Sequence, residues 1–294
     1  MRTDTLSAAA ATMPEGGRAL PPQSRRRKLE WGLRQATAGL RALPDFLIIG
    51  AAKAGSTSLY DYLVEHPEIE TAFRKEVHYF DQNLGMGENW YRAHFPLKSR
   101  MTGGRITGEA TPYYCFHPAV PALAGRLLPE AKLLFILRDP IARAYSHYQQ
   151  NLRRGLETLS FAEAVAAEPG RLAGPQAKLK AGEVDYDETH QHLSYVTRGL
   201  YADQLTAWLQ HYPAERIHVL FTEELATDPD PVLQPVLRFL GVAPFRYDTP
   251  KTSNSGRYDL DIDPALYQHL RDHYAASDKM LSEFTGRSLP WRAD

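Results

Sequence analysis

Short apolar runs alternate with helical patterns along most of the chain. Four predicted strands cover residues 46–49, 105–110, 132–137 and 216–221. Apolar residues at helical spacing predict helices over residues 56–66, 140–154, 201–211, 231–240 and 264–284. Strands that are separated by helices favour a parallel sheet covered on both sides. We therefore predict an α/β fold, with a P-loop-like central parallel β-sheet flanked by helices on both faces.

The N-terminal segment differs in composition from the rest of the chain. About its first 25 residues are rich in Ala, Gly, Pro and Ser, which is typical of disorder. Four basic residues at positions 25–28 then open a helical pattern. We predict a disordered, basic segment over residues 1–43 and a single domain over residues 44–294. Residues 25–43 form either a solvated basic helix or tail, the more common outcome, or an amphipathic helix that contacts anionic lipid or a partner.

A long polar stretch interrupts the pattern of strands and helices. Residues 154–197 are rich in glycine and alanine, and helical spacing is evident only near residues 161–167. Long loops within compact domains usually serve a function. We therefore predict that residues 154–197 form an excursion, or lid, over the functional site.

Charge and cysteine content exclude several classes of protein. The formal net charge is −1, so the chain lacks the global basic field of a nucleic-acid-binding protein. Cys115 is the single cysteine, which excludes an intramolecular disulfide and a zinc site built from cysteines. No apolar run approaches the ~20 residues that span a bilayer. We expect a cytoplasmic protein with no transmembrane segment and no nucleic-acid partner.

The loop after the first predicted strand reads IIGAAKAGSTSL, from residue 48 to residue 59. Gly50 and Gly55 keep the spacing of the nucleoside-triphosphate loop G-x-x-x-x-G-K-[ST], but Lys53 precedes the second glycine. Backbone N–H groups at a helix start, with a lysine and hydroxyl groups, suit an anion. The candidate phosphate-binding residues are Lys53, Ala54, Gly55, Ser56, Thr57 and Ser58. A Gly/Ser-rich turn without a ligand is the alternative interpretation.

A second anion site is predicted after the third strand, in LLFILRDPIARAYSHY. Arg138 ends the strand and Ser146 lies in the following helix, whose start Asp139 can cap. A guanidinium and a hydroxyl near one helix start can hold a phosphate. The alternative is an ion pair between Arg138 and an acidic neighbour. Two anion sites on adjacent strands indicate a nucleotide with phosphates at both ends.

With these motifs the chain resembles the sulfotransferases that use 3′-phosphoadenylyl sulfate (PAPS), most of all the heparan-sulfate N- and 3-O-sulfotransferase type and its bacterial relatives. The matching pieces lie within residues 44–292 and include PDFLIIGAAKAGSTSLYDYLVEHP, RKEVHYFD, GEATPYY and RGLYADQLTAWLQHYP. The resemblance implies transfer of a sulfuryl group from PAPS to an acceptor hydroxyl or amine, with adenosine 3′,5′-bisphosphate as product. The acceptor is expected to be a carbohydrate or another small metabolite.

The resemblance also implies roles for single residues. Residues 53–58 match the loop that holds the 5′-phosphosulfate, and Arg138 and Ser146 match the pair that holds the 3′-phosphate. Glu76 falls where the family has its catalytic base, and Lys53 would stabilise the leaving phosphate. From the residues alone, an ion pair with Arg74 or Lys75 is the alternative for Glu76, and His78 is the alternative base or an acceptor ligand. No metal is expected.

The resemblance extends to a loop near the C-terminus. The sequence SNSGRYD, residues 253–259, is similar to the loop that closes over the cofactor, which makes Gly256 and Arg257 candidate contacts. The family usually has a lysine before that glycine, where this chain has Ser255. Lys251 is the candidate replacement.

Two other functions remain open from the residues alone. One is a P-loop kinase for a small molecule, against which stand the position of Lys53 and the missing strand with a magnesium-binding acid at its end. The other is a non-catalytic nucleotide-binding protein. The presence of both Lys53 and Glu76 argues against that second alternative.

Overall fold

A five-stranded parallel sheet forms the centre of the protein. The computed structural model describes residues 25–247 and 260–292. Within them the strands are β1 (Phe46–Gly50), β2 (Ile69–Glu70), β3 (Ile106–Ala110), β4 (Lys132–Leu137) and β5 (Ile217–Phe221). Their order is β2-β3-β1-β4-β5, and every pair is parallel. The predicted parallel sheet is confirmed, while the two-residue β2 is too short to show a pattern in sequence.

Helices connect and cover the strands. In the same residues they are α1 (Arg25–Ala36), α2 (Ser56–Leu63), α3 (Tyr79–Gln82), α4 (Glu88–Arg92), α5 (Val120–Leu127), α6 (Pro140–Arg154), α7 (Phe161–Ala181), α8 (Glu188–His192), α9 (Tyr201–Leu209), α10 (Thr222–Thr227), α11 (Pro229–Leu240) and α12 (Pro264–Thr285). Asp139 caps α6 as predicted, with its Oδ1 accepting from the N–H of Ile141 at 2.9 Å.

Both faces of the sheet are buried. Alternate side chains of β1, β4 and β5 point to opposite faces. One face packs against α5, α9 and α12 through Leu47, Ile49, Leu133, Phe135, Val219 and Phe221. The other face packs against α2 and α11 through Ile48, Leu134, Ile136 and Leu220. The prediction of helices on both faces is therefore confirmed.

The stretch over residues 154–197 is far more helical than its sequence indicates. The helix predicted near residues 161–167 extends to Ala181, as the 21-residue α7, and α8 follows it. A capping box starts α7, because Ser160 accepts from the N–H of Glu163 and the Glu163 side chain accepts from the N–H of Ser160. Pro169 and Pro175 lie inside α7. Interior prolines disfavour a helix by about 3 kcal/mol, so the sequence pattern predicts an earlier end.

A buried carboxylate ties α7 to the rest of the domain. Glu168 is only 1 % exposed, and its two oxygens accept from the backbone N–H groups of Tyr195, Val196 and Thr197 at 2.6–2.7 Å. These three residues lead into the chain segment before α9. Tertiary contacts of this kind hold α7 in place despite its prolines.

The N-terminal helix α1 lies against the domain through one face. The Trp31 ring stacks on Phe73, with 5.4 Å between the centroids. The Arg34 side chain donates to the carbonyl oxygens of Ala93 and Phe95 at 3.2 and 3.3 Å. These contacts fix the orientation of α1, although none of its residues is fully buried.

We expect Glu168→Gln to lower the free energy of unfolding by about 2 kcal/mol or more, because it removes the charge that three buried N–H groups share. Urea denaturation measures the change. Glu183→Gln, an exposed position just after α7, is the matched control and should stay within about 0.5 kcal/mol of the parent. Equal stability of the two variants would show that Glu168 does not hold α7.

Candidate active site

The loop between β1 and α2 is fastened to the neighbouring strands. The N–H of Ala51 donates to the carbonyl oxygen of Ile136 in β4 at 2.7 Å. The Thr222 hydroxyl oxygen, directly after β5, lies 2.5 Å from the carbonyl oxygen of Ala54 and 2.8 Å from that of Leu137, and its one proton is shared between them. Gly55, the residue before α2, has φ +87°, a left-handed conformation that glycine adopts without strain. The loop therefore lies at the carboxyl edge of the sheet, where ligands bind in open α/β sheets.

Gly50 serves packing rather than a ligand. A Cβ atom at this position would lie 2.3 Å from the sulfur of Cys115 and 3.2 Å from the carbonyl oxygen of Pro112. Burial raises the pKa of the Cys115 thiol to about 12. Packing against Cys115 thus requires glycine at position 50, whereas the left-handed backbone favours glycine at position 55.

Two arginines hold the loop from the side of α6. Arg143 is buried, and its Nη1 donates to the carbonyl oxygen of Ala52 at 3.3 Å while its Nη2 donates to that of Tyr195. Arg138 donates to the carbonyl oxygen of Lys53 at 3.5 Å. Sequence reasoning missed Arg143, although an arginine that follows Pro140 in the first turn of a helix beside the predicted phosphate loop is a usable signal.

Lys53 lies in a strongly positive environment. Burial and the charges of four arginines lower the pKa of Lys53; in order of effect they are Arg153, Arg154, Arg138 and Arg143. Positive charges that are gathered in one partly buried region repel one another unless an anion lies between them. Lys53 also has φ +71°, a conformation that costs energy for a residue with a side chain and occurs at functional sites. The residues present therefore fit an anionic group.

The predicted hydroxyl groups are distributed over two helices. Ser56 and Thr57 begin α2, with Ser56 5 % exposed. Ser146 is buried in α6, six residues after Pro140. The Thr57 hydroxyl accepts a hydrogen bond from the Lys75 ammonium at 2.5 Å. The sequence offers Lys75 only as an alternative ion-pair partner of Glu76, and its contact with the start of α2 was missed.

Glu76 and His78 belong to a chain of four ionisable groups. His78 Nδ1 lies 2.7 Å from Oδ2 of the fully buried Asp81, and His78 Nε2 lies 3.5 Å from Oε2 of Glu76. Glu76 Oε1 lies 3.0 Å from the Lys75 ammonium. Asp81 also escaped sequence reasoning, although it ends the motif RKEVHYFD.

Burial and charge set the protonation of this chain. Burial alone would raise the pKa of Glu76, but the hydrogen bond from His78 and the charge of Lys75 lower it to about 2. Burial alone would lower the pKa of His78, but the carboxylates of Asp81 and Glu76 raise it to about 10. At neutral pH the carboxylate of Glu76 is ionised and His78 is an imidazolium, which has no lone pair to accept a proton.

A second carboxylate positions this segment. Glu109, at the end of β3, is fully buried and accepts from the N–H of Val77 at 3.1 Å. Burial raises the pKa of Glu109, against the effect of its donors. Three hydroxyl groups complete its shell, those of Tyr91, Thr111 and Tyr114. The backbone between Glu76 and His78 is thereby attached to the sheet.

The structure brings most of the predicted site residues together at one edge. The loop contains Lys53 and leads into the start of α2, and Arg138 contacts it from one side. Glu76 is linked to the start of α2 through Lys75 and Thr57. Gly256, Arg257 and Lys251 lie outside the described residues. In the part of the chain that is described, no group of three or more His, Cys, Asp or Glu side chains is placed to hold a metal ion.

A family model for the sulfotransferase domain matches residues 43–254. The chain belongs to the sulfotransferase family. A solved sulfotransferase from Alicyclobacillus acidocaldarius is 31 % identical and has a TM-score of 0.67, over 86 % of this chain and 100 % of that one. The predicted family, fold class and sulfotransferase activity are thus confirmed. The kinase alternative finds no support.

Two curated relatives extend the comparison. Heparan sulfate glucosamine 3-O-sulfotransferase 3B1 of Mus musculus is 29 % identical, over 86 % of this chain and 66 % of its own length. Membrane-associated sulfotransferase kil1 of Dictyostelium discoideum is 25 % identical, over 86 % of this chain and 67 % of its own length. The match to the mouse enzyme spans just under two thirds of that relative.

The predicted cytoplasmic location is contradicted by these relatives, since one of them is a membrane-associated sulfotransferase. The prediction relied on the cysteine content and on the absence of an apolar run long enough to span a bilayer. Cys115 is buried against Gly50, so packing explains its presence and it gives no information about the compartment. Over residues 25–247 and 260–292, no helix has both the length and the apolar character to cross a bilayer.

We expect Asp81→Asn to lower the pKa of His78 from about 10, because it removes the closer of the two carboxylates. Glu76→Gln should lower it less, since its oxygen is 3.5 Å away instead of 2.7 Å. Titration of the imidazole signals by NMR measures both, with His218, whose pKa is about 4, as the internal control.

The ion pair between His78 and Asp81 makes the stability of the folded protein depend on pH. The folded protein holds a proton on His78 up to pH about 10, whereas an unfolded histidine releases it near 6.5. This stabilisation is complete below pH 6.5 and is lost as the pH rises towards 10. Asp81→Asn should flatten that dependence. An unchanged His78 signal in Asp81→Asn would contradict the assignment.

Proposed function

We propose that the chain transfers a sulfuryl group from PAPS to an acceptor hydroxyl, with Glu76 as the general base. The observation that supports this most strongly is the position of Lys75, which contacts both the Thr57 hydroxyl and the Glu76 carboxylate. It joins the ionised carboxylate to the first turn of the helix that follows the phosphate loop. A base beside a donor loop is the arrangement that group transfer to a hydroxyl needs.

The donor would bind through backbone and cationic groups. The start of α2, with Lys53 and residues 54–58, suits the 5′-phosphosulfate, and Arg138 with Ser146 suits the 3′-phosphate. Gly256 and Arg257 stay predicted contacts. PAPS supplies an activated sulfuryl group. In the transfer, the bond from sulfur to the 5′-phosphate oxygen breaks and a bond from sulfur to the acceptor oxygen forms.

Charge and proton are handled by separate groups. Negative charge grows on the phosphate oxygen as the sulfur–oxygen bond breaks, and Lys53 with the loop N–H groups stabilises it. The acceptor hydroxyl gives its proton to Glu76. Asp81 and His78 act as positioning residues, because they hold Glu76 ionised and in place. His78 is already protonated at neutral pH, so it cannot serve as the base.

We propose a carbohydrate as the acceptor, with anionic groups near the reacting hydroxyl. Relatives of the chain are named as heparan sulfate glucosamine sulfotransferases. Arg153 and Arg154, at the exposed end of α6, lie close enough to Lys53 to lower its pKa. Their charges extend the positive surface beyond the donor loop, where carboxylate or sulfate groups of a glycan would bind.

We expect Glu76→Gln to reduce turnover at least ~100-fold, which is the low end of the contribution of a general base. Donor binding should stay nearly intact. Lys53→Ala should abolish transfer. Initial rates and the binding of adenosine 3′,5′-bisphosphate separate the two effects. Glu215→Gln, exposed at the amino end of β5, is the matched control. Unchanged turnover in Glu76→Gln would assign the base to another group.

Binding of adenosine 3′,5′-bisphosphate should raise the thermal midpoint of the purified chain without magnesium, because the site holds its phosphates with cationic side chains and N–H groups. Labelled sulfate from PAPS should then reach anionic oligosaccharides faster than neutral ones. Stabilisation by ATP only with magnesium would indicate a kinase. Donor binding without transfer to any acceptor would indicate a non-catalytic nucleotide-binding protein.

A further inference from the structure

The outward face of α1 carries exposed leucines. In the residues that the structure describes, five large hydrophobic side chains are exposed, and three of them lie within residues 29–40. They are Leu29 at 71 %, Leu33 at 69 % and Leu40 at 66 % exposure. Leu29 and Leu33 are four residues apart, so they share one face of the helix. Trp31 and Arg34 dock the opposite face on the domain, which holds the leucines outward.

Basic residues border these leucines. The helix sequence RRRKLEWGLRQA has five basic residues and one acidic residue, whereas the whole chain has a net charge of −1. At 100° per residue, Arg25 and Arg26 fall on the same side of α1 as Leu29 and Leu33. Leucines bordered by arginines on one exposed helix face can contact the acyl boundary and the acidic headgroups of a membrane surface at the same time.

The position of the charges within α1 adds a second argument. Positions 25–28 are all basic, and no acidic residue lies among them. Like charges that are three or four residues apart on a helix repel each other and destabilise it. This arrangement is therefore unfavourable for the isolated protein, and an external anionic surface would offset it.

We propose that the outward face of α1, with Leu40, binds the surface of an anionic lipid bilayer. A second copy of the chain is a poorer occupant, because a two-fold interface would place this basic face against itself. Residues 1–24 are also a poorer occupant of this face. Their two basic and two acidic residues give the segment no net charge to match the basic residues of α1. A bilayer with acidic headgroups matches both the leucines and the arginines.

Vesicle co-sedimentation of the full chain tests this surface. The chain should bind vesicles of phosphatidylcholine with phosphatidylserine, should bind vesicles of phosphatidylcholine alone at least tenfold more weakly, and should lose affinity as salt rises. A triple variant that combines Leu29→Gln, Leu33→Gln and Leu40→Gln should lower the vesicle partition coefficient at least tenfold. Arg25→Gln and Arg26→Gln should each lower it about fivefold.

Matched controls come from α12 and its surroundings. Met280→Gln and Lys279→Gln replace an exposed apolar and an exposed basic residue elsewhere, and both should leave vesicle binding unchanged. Transfer to a soluble acceptor should be the same in all variants, which separates this surface from the proposed activity. Absence of binding to anionic vesicles, or a dimer that the leucine variant dissociates, would overturn the proposal.

Discussion

The geometry of the site depends on the buried carboxylate of Glu109 and its contact with the backbone of Val77. A carboxylate that is fully buried needs several donors, because an unsatisfied charge in the interior is very costly. Here one backbone N–H and three hydroxyl groups surround it, from Val77, Tyr91, Thr111 and Tyr114. Val77 lies between Glu76 and His78, so the contact also fixes the proposed base relative to β3. The position of the base follows from a structural requirement of the core.

The two halves of the site have opposite electrostatic character. Around Lys53 the charges are positive and lower its pKa, so an anion bound there, such as the proposed donor, would relieve the repulsion. Around His78 the charges alternate in sign and stabilise one another, so Glu76 stays ionised. Lys75 contacts both halves, through Thr57 and Glu76. This division agrees with the proposed transfer, in which negative charge develops on one side and a proton is accepted on the other.

Backbone conformation marks the same two places. In the described residues, Lys53 and His78 are the non-glycine residues with positive φ, at +71° and +54°. Such conformations persist where surrounding contacts hold them. Arg138 contacts the carbonyl of Lys53, and Asp81 holds the ring of His78. Neither conformation has a signal in the sequence, because lysine and histidine rarely adopt it.

Prediction from sequence succeeded for local patterns and failed where distant contacts prevail. β1 and β4 and the capped start of α6 follow from apolar runs, a cap residue and a proline. The length of α7 does not follow, because its interior prolines predict an end that the contacts of Glu168 override. A compartment cannot be inferred from one cysteine that packing alone explains.

By itself the sequence determined four of the five strands and five of the helices in their order along the chain, the edge of the sheet at which the predicted donor loop lies, and the family, since each depends on spacing along the chain. Only the tertiary structure decided which side chains meet there. Lys75 reaches Thr57 across 18 positions, and Arg143 reaches Ala52 across 91. Such contacts depend on how packed elements place backbone and side chains, and hydropathy patterns do not encode that placement.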